Sequence, residues 1–166
     1  TGYHESPNDY LYKVNLTTLA REDSVVASRV ATRMWIDLSK LYTISGIFVA
    51  YVYKYNLSTL NLEATSPLLE GTPSDVTVVG SFVIAITQPG SGNSGIYKLN
   101  PITLAIIDSI VNTQVNSRII VINNTFFAVQ HNNKLQVYNV NTFMLLDELA
   151  YKSAEIGSKE LAVIGI

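Results

Sequence analysis

The feature that most constrains this chain is a segment that occurs four times along it. Each copy contains a tyrosine, then a turn rich in asparagine and threonine, then a second apolar stretch. The tyrosines are Tyr12, Tyr53, Tyr97 and Tyr138, which lie 41, 44 and 41 residues apart. A period of about 40 to 45 residues predicts one supersecondary unit repeated along the chain.

Each copy predicts a β-hairpin. The half that carries the tyrosine is aromatic and β-branched, as strands prefer. The asparagine of the turn can accept a hydrogen bond from a backbone amide two residues further on. The turn asparagines are Asn15, Asn56, Asn100 and, in a fourth turn that we predict to be two residues shorter, Asn141.

The segments between the hairpins predict two further strands in each period. Short apolar runs at 33–36 and 41–44 precede the second hairpin, and the runs at 76–79 and 82–86 precede the third. A Gly80-Ser81 turn separates the latter pair. Four short antiparallel strands per period are typical of the blades of a β-propeller.

No stretch of the sequence predicts an amphipathic helix. The best candidate, 146–159, lacks an apolar stripe at helical spacing, and its alignment with the other repeats predicts a strand followed by a loop. We therefore expect an all-β fold, a β-propeller of about four blades of four antiparallel strands, in one domain over 1–166. The predicted repeats are approximately 10–30, 31–73, 74–114, 115–155 and a partial repeat at 156–166.

The repeated hairpin resembles those of YVTN-like and quinoprotein-like surface propellers. In that pattern a strand is followed by Asn or Asp, two residues, Thr and an apolar strand, as at Asn15, Asn56 and Asn100. The glycine that follows the turn threonine in those families is absent from all four repeats. The phase of the repeat leaves three possibilities open: the chain is part of a longer propeller, it is a small four-bladed ring with an irregular fourth blade, or it pairs with a second copy to complete a larger ring.

Composition excludes several kinds of partner and chemistry. The chain has 11 basic and 13 acidic residues, and no segment concentrates lysine and arginine. We therefore predict no nucleic-acid binding. No apolar run reaches about 18 residues, which predicts no membrane insertion. There is no cysteine, so thiol nucleophiles, zinc thiolate sites and disulfides are excluded.

Candidate catalytic residues are few and scattered. We predict that His131 is exposed in a polar turn and that His4 lies in a mobile terminus. We predict that Asp75 is a lone acid that caps the start of a strand. The glycine-rich segment 90–95 has the wrong spacing for a dinucleotide site and leads into a strand. We expect no catalytic, cofactor-binding or metal-binding residues, and an enzyme is the less favoured reading.

The residues at two repeated positions, a tyrosine and a lysine, are expected to have structural roles. We expect Tyr10, Tyr12, Tyr51, Tyr53, Tyr55, Tyr97 and Tyr138 to fill the outer parts of the blades. Lys13, Lys54 and Lys98 recur at one position of the hairpin. With Lys13 opposite Ala20 and Lys54 opposite Asn61, each would reach a diagonal glutamate, Glu22 or Glu63.

The sequence favours a non-catalytic binding or structural module. Its partner would be a protein or a glycan, and its place extracellular or at a cell or particle surface, because charges are few and Asn, Ser, Thr and Tyr are many. Asn15, Asn56 and Asn123 begin glycosylation sequons. The alternative is a part of a propeller enzyme, lactonase-like or quinone-dependent dehydrogenase-like, whose site needs residues outside this chain.

Overall fold

The computed structural model describes residues 9–15, 17–27, 31–90, 93–112, 115–131 and 134–150. All regular structure in these residues is β-strand, and all strand pairs are antiparallel. The strands are β1 (Asp9–Val14), β2 (Arg21–Ala27), β3 (Ala31–Asp37), β4 (Lys40–Ser45), β5 (Val49–Asn56), β6 (Leu62–Thr65), β7 (Leu69–Glu70), β8 (Thr72–Val79), β9 (Phe82–Gln88), β10 (Ser94–Leu99), β11 (Ile106–Asn112), β12 (Asn116–Val121), β13 (Phe126–His131), β14 (Lys134–Asn139) and β15 (Met144–Ala150).

The strands form four sheets in chain order, which are the blades of a β-propeller. Blade 1 is the hairpin β1–β2, blade 2 is β3–β4–β5–β6, blade 3 is β8–β9–β10–β11, and blade 4 is β12–β13–β14–β15. The short β7 pairs with β5 at the edge of blade 2. In blades 2 to 4 each strand pairs with the next along the chain, which confirms the predicted all-β architecture.

The first strands of blades 2, 3 and 4 pack beside one another. β3 lies against β8, and β8 lies against β12. The backbone amide of Ile119 in β12 donates a hydrogen bond to Asp75 Oδ2 in β8, at 2.9 Å. The blades are therefore arranged side by side around a common centre, with their first strands innermost, as in a propeller.

The hydrophobic core lies between blades. Because side chains alternate across a strand, each blade has a leading face toward the preceding blade and a trailing face toward the following one. Tyr42, Ile44 and Val52 on the trailing face of blade 2 pack against Val76 and Leu99 on the leading face of blade 3. A second cluster joins blades 3 and 4, and a third joins blades 1 and 2.

The outer hairpin of each blade turns in the same way. The amides of Thr17 and Thr18 donate to Asn15 Oδ1 at 2.9 and 3.0 Å, and Asn56 and Asn100 cap their turns equally. The residue four positions after the asparagine is left-handed, with φ between 54° and 58°. These residues are Leu19, Leu60, Leu104 and Phe143.

The residue at this left-handed position differs from that of the resembling families. Propeller repeats of the resembling families have a glycine after the turn threonine, where a side chain would oppose the left-handed backbone. This chain has leucine or phenylalanine there and keeps the same conformation. Burial of the side chain compensates for the strain at Leu60, Leu104 and Phe143, which are all buried.

The prediction for the fourth turn was wrong. The capping residue is Asn139, which accepts hydrogen bonds from the amides of Asn141 and Thr142 at 2.8 and 3.2 Å. The turn therefore has the same length as the other three, and Tyr138 occupies the position of Val14 and not that of Tyr12. The tyrosine spacing was misleading because the fourth copy has Gln136 at the repeated tyrosine position.

The predicted register of the outer hairpins was also wrong. Lys13 lies opposite Asp23, not Ala20, and Lys54 lies opposite Ala64, not Asn61. The left-handed turn residue lengthens the loop, and a bulge follows it in each hairpin. The glutamate partners were correct, since Lys13 Nζ is 3.7 Å from Glu22 and Lys54 Nζ is 3.6 Å from Glu63.

Two of the repeated lysines hold adjacent blades together. Lys54 Nζ in blade 2 donates to the carbonyls of Pro101 and Ile102 in the outer turn of blade 3, at 3.2 and 2.7 Å. Lys98 Nζ in blade 3 donates to the carbonyl of Asn141 in the outer turn of blade 4, at 3.0 Å. Each amine thus reaches the residue two positions after the capping asparagine of the next blade.

Candidate functional site

The propeller has two faces with different connections. The Asn-capped turns and the turns between the first two strands of each blade lie on one face, here called the turn face. The loops between the second and third strands lie at the opposite strand ends, together with the connections from one blade to the next. This loop face is where the blades differ most in sequence, and loops on a rigid scaffold commonly carry binding function.

The loop of blade 2 on this face presents large apolar side chains. Gly46 opens the loop with φ 145°, and a Cβ there would lie 1.8 Å from the carbonyl oxygen of Val49. Only glycine permits this backbone. The tight loop leaves Ile47 55% and Phe48 65% exposed.

The connection that leaves blade 2 carries a further exposed apolar side chain. Leu68 is half exposed, and Leu69 and Glu70 form β7, which pairs with Val49 and Ala50 directly after the loop. We call Ile47, Phe48 and Leu68 the apolar knob. They occupy the loop face of blade 2 and its edge.

Hydrogen bonds hold the knob in place. Thr72 Oγ1 donates to the carbonyl of Ile47 at 3.3 Å. The Tyr97 hydroxyl accepts from the amide of Glu70 at 3.0 Å, and burial raises the pKa of that hydroxyl. Asn93 Nδ2 donates to the Glu70 carboxylate at 3.4 Å. The knob is therefore supported by blade 3 as well as by its own blade.

The corresponding loops of blades 3 and 4 are polar. The first contains Pro89, Gly90 and Asn93, and the second follows His131 directly. Turns usually carry Gly, Asn, Asp or Ser because these residues suit tight backbones and water. The blade 2 loop departs from that rule, because two large apolar residues stand at its tip.

Asp75 has a structural role, but the prediction that it caps the start of a strand was wrong, because Asp75 lies inside β8. Its carboxylate accepts hydrogen bonds from the amides of Val76 and Ile119, each at 2.9 Å. Burial raises its pKa, while those amides and the charges of Arg33 and Arg118 act in the opposite direction. Because both oxygens already bind backbone amides, Asp75 stabilises the contact between blades 3 and 4.

The prediction that His131 is exposed was wrong, because its side chain is only 2% exposed. It is the last residue of β13 and pairs with Asn116 of β12. The same position holds Thr87 in blade 3 and Ser45 in blade 2, both buried. The polar letters that follow His131 suggested a turn, whereas the strand continues through it.

His131 borders a polar cluster within blade 4. Tyr138 donates from its hydroxyl to Gln136 Oε1 at 2.6 Å, and Gln136 Nε2 donates to Glu148 at 2.6 Å. Lys134 completes the cluster with an ion pair to Glu148. Burial lowers the pKa of His131 and raises that of Tyr138 to about 12. Sequence reasoning missed this cluster, because its members come from three different strands.

The repeated tyrosines divide into two groups. Tyr53, Tyr55, Tyr97 and Tyr138 are buried between blades, as predicted, and Tyr51 is partly buried against the cluster between blades 1 and 2. Tyr10 and Tyr12 are exposed on blade 1, with their rings stacked at 5.8 Å, and the Arg21 guanidinium lies 4.6 Å from the centre of the Tyr12 ring. The difference arises because no described residue covers that face of blade 1.

The predicted glycosylation residues all lie on the turn face. Asn15 and Asn56 cap outer turns and donate from Nδ2 to Glu22 and Glu63 respectively. Asn123 is exposed and caps the turn between β12 and β13 through its Oδ1. Their modification stays a prediction. His4 lies outside the described residues.

Two searches of the described ranges found nothing. They contain no group of three or more His, Asp or Glu residues placed to hold a metal ion. No helix of membrane-spanning length and hydropathy occurs in them either.

Comparison with known proteins identifies the fold and no closer relationship. No family model and no curated protein matches the chain. Among solved structures it is similar to the dihydro-heme d1 dehydrogenase NirN, with a TM-score of 0.66 and 13% identity over 83% of this chain and 32% of that one. It is also similar to BamB from Moraxella catarrhalis, with a TM-score of 0.61 and 14% identity over 76% of this chain and 39% of that one.

A third similar structure is the Pan2 WD40 domain of Neurospora crassa, with a TM-score of 0.63 and 10% identity over 86% of this chain. This chain covers 47% of that one, so it spans a third to a half of the length of each of these proteins. The blades, their order and these similarities together show that the chain is a β-propeller repeat protein.

Proposed function

We propose that this chain is a non-catalytic β-propeller module that binds a protein partner through its loop face, with Ile47 and Phe48 as anchors. The observation that carries the proposal is the apolar tip of the blade 2 loop, where 55% and 65% of these side chains are exposed. Large apolar and aromatic anchors dominate the energetics of protein interfaces.

The chemistry of the knob favours a protein over a glycan. Sugar binding uses flat aromatic faces together with convergent polar groups, whereas the knob combines Ile47, Phe48 and Leu68. The surrounding polar groups, Thr72 and Asn93, are already bound to the loop and to Glu70. An apolar knob with a polar border has the composition of the core and rim of a protein interface.

The described residues supply no convergent reactive groups for the alternative enzyme reading. Asp75, an acid on the first strand of blade 3, is held by two backbone amides. The enzyme reading therefore depends on residues other than those described, and turnover of a small molecule by the full chain is the result that would favour it.

The test compares proteins captured by the wild-type chain, by Phe48→Ser, and by the matched control Leu38→Asn. Leu38 is 92% exposed on the turn face, so its substitution removes a similar apolar group far from the knob. Proteins captured by the wild type and the control, but lost with Phe48→Ser, are then produced and titrated calorimetrically. We expect Phe48→Ser to weaken binding about 30-fold, as for an interface hot spot.

Two results would contradict the proposal. In the first, the partner binds wild type and Phe48→Ser equally. In the second, the chain binds glycans on an array with selectivity that Phe48→Ser leaves unchanged. Circular dichroism melting of each variant checks that the blades remain folded.

Display at a cell or particle surface remains part of this proposal. It is supported by the low charge content of 14% and by three sequons in turns of one face. Expression through a eukaryotic secretory pathway, with mass measurement before and after glycosidase treatment, tests whether Asn123 is modified; Asn123→Gln is the matched control.

A further inference from the structure

Two arginines and an aspartate occupy the same position in three successive first strands. Arg33 in β3, Asp75 in β8 and Arg118 in β12 each follow a shift of register between the first and second strands of their blade. Such bulges often lie beside functional sites, because they re-aim the neighbouring side chain. The first strands start at the loop face, and β8 lies between β3 and β12. The two arginines, here called the arginine pair, therefore flank Asp75 near the loop face.

Asp75 does not occupy the arginine pair. Its Oδ1 and Oδ2 accept hydrogen bonds from the backbone amides of Val76 and Ile119, each at 2.9 Å. The positive charges of Arg33 and Arg118 act on this carboxylate from a distance, without an ion pair to it. Both arginines are exposed, so a ligand that approaches the loop face can reach them.

The arginine pair differs from the other basic residues in the described ranges. Neither Arg33 nor Arg118 has an ion pair, a hydrogen bond or a ring contact with a described residue. The other basic residues are already bound: Lys13, Lys40, Lys54 and Lys134 pair with glutamates, Lys98 binds the Asn141 carbonyl, and Arg21 binds the Ser24 hydroxyl. The available positive charge of the described chain is thus on the loop face, although the net charge of the whole chain is −2.

The arginine pair lies beside the apolar knob. Thr72, whose hydroxyl binds the carbonyl of Ile47, precedes Asp75 on β8 by three residues, which is at most about 10 Å along a strand. Glu70 lies on the outer side, because β7 pairs with β5, the third strand of blade 2. A partner that covers the knob can therefore place acidic groups over the innermost strands, whereas Glu70 would repel them on the outer side.

We propose that Arg33 and Arg118 bind an acidic segment of the protein partner, which places a carboxylate at each guanidinium while adjacent apolar residues contact the knob. This inference rests on the proposed function and adds the chemistry of the partner. Arginine suits the role because its planar group binds a carboxylate through two parallel hydrogen bonds. Exposed charges at an interface also speed the encounter with a partner of opposite charge.

The experiment titrates the full chain with a hexaglutamate peptide that carries a neutral dye, and follows binding by fluorescence anisotropy at low ionic strength. We expect Arg33→Gln and Arg118→Gln each to weaken binding about fivefold, the effect of one well-placed exposed ion pair. The double variant should lose about 25-fold. Added salt should weaken binding to the wild type more than binding to the double variant, because salt screens exposed charges.

Two further variants serve as controls. Arg21→Gln is the matched substitution, since it removes an exposed arginine from the turn face of blade 1, and it should leave the affinity for hexaglutamate unchanged. The double substitution of Arg33→Lys and Arg118→Lys keeps both charges beside Asp75 and should recover part of the affinity. Circular dichroism melting checks the fold of each variant, and the lysine variant decides the question if the double glutamine variant does not fold.

Three results would overturn the acidic partner. The wild type fails to bind hexaglutamate, the folded double glutamine variant binds it as tightly as the wild type, or inorganic tripolyphosphate binds more tightly than hexaglutamate. The last result would assign the arginine pair to a phosphate ligand instead.

The same titration separates this inference from the proposed function. Phe48→Ser should leave hexaglutamate binding unchanged, because the peptide has no apolar residue for the knob. If a partner depends on Phe48 but hexaglutamate does not bind, only the acidic segment is refuted. If hexaglutamate binds through the arginine pair but no partner depends on Phe48, the proposed role of the knob is refuted.

Discussion

The outer turns of blades 1 and 3 have the same backbone and opposite surroundings. Leu19 and Leu104 both have left-handed φ values, 56° and 58°, behind the same asparagine cap. Leu104 is fully buried against blade 2, whereas Leu19 is exposed. Packing against blade 2 thus compensates for the backbone strain at Leu104. No described residue compensates for the same strain at Leu19.

A repeat can retain a residue with a strained backbone because packing against the neighbouring blade compensates for the strain. A left-handed leucine costs about 1–2 kcal/mol relative to a permitted conformation. Burial of a leucine contributes about 1.5–3 kcal/mol, which exceeds that cost only when another blade covers the side chain. The stability of each turn therefore depends on the blade before it.

The largest expected effect comes from truncating the covered leucine. Leu104→Ala should lower the free energy of unfolding by about 3 kcal/mol, because it leaves a cavity between blades 2 and 3. Leu19→Ala, the matched control, should change it by less than about 0.5 kcal/mol. Chemical denaturation followed by circular dichroism measures both, and equal losses would contradict the difference between the two turns.

The lysine contact between blades should give the next largest effect. Lys98→Met keeps the aliphatic stem but removes the amine that binds Asn141 O and lies 4.0 Å from the centre of the Phe82 ring. We expect a loss of about 2 kcal/mol in the free energy of unfolding. Lys13→Met, whose lysine is exposed, should lose less than about 1 kcal/mol. A smaller loss at Lys98 than at Lys13 would show that the buried amine does not hold the blades together.

Substitution by glycine at the left-handed position should change the free energy of unfolding in opposite directions in the two turns. Leu19→Gly should raise the free energy of unfolding by about 1 kcal/mol, since it relieves strain and loses little burial. Leu104→Gly should lower it, because the lost packing exceeds the relieved strain. If Leu19→Gly proved destabilising in the same denaturation experiment, the exposed leucine would have a covering partner within the chain.

The smallest expected effect is a dependence of stability on pH that arises from His131 in blade 4. Burial lowers the pKa of His131 below its usual value of 6.5, while Gln136 and Glu148 partly oppose this shift. The folded state then binds the proton less tightly than the unfolded state, so stability present above pH 6.5 is lost as the pH falls through the lowered pKa.

Unfolding of wild type and His131→Gln at several pH values measures this effect. The wild type should lose stability below pH 6.5 relative to the variant, and parallel curves would contradict the buried position. Hydrogen exchange can place the loss in β13 and β14 and distinguish it from a change in blade 1.

Much of the fold could be predicted because it depends on short-range patterns. The capping asparagines, the turn threonines and the apolar runs indicate four strands per period, and the structure has them. The fourth turn was misplaced by two residues because Tyr138 imitates the repeated tyrosine. Its cap, Asn139, is revealed only by which oxygen the backbone amides reach.

The candidate site was harder to predict from sequence. Residue type alone does not distinguish Ile47 and Phe48 from the buried apolar residues near them, and their exposure depends on the backbone of Gly46. His131 read as a turn residue because polar residues follow it, although it ends a strand. In both cases the deciding factor is the position of a strand end, which local composition specifies least well.

The sequence by itself determined the repeat, the strand pattern and the absence of a thiol, because these depend on residue type and spacing. The tertiary structure decided which side chains are covered, since the core of this protein lies between blades and not within them. Leucines at equivalent turn positions therefore contribute differently to the free energy of unfolding. That difference depends on the neighbouring blade, which no single repeat encodes.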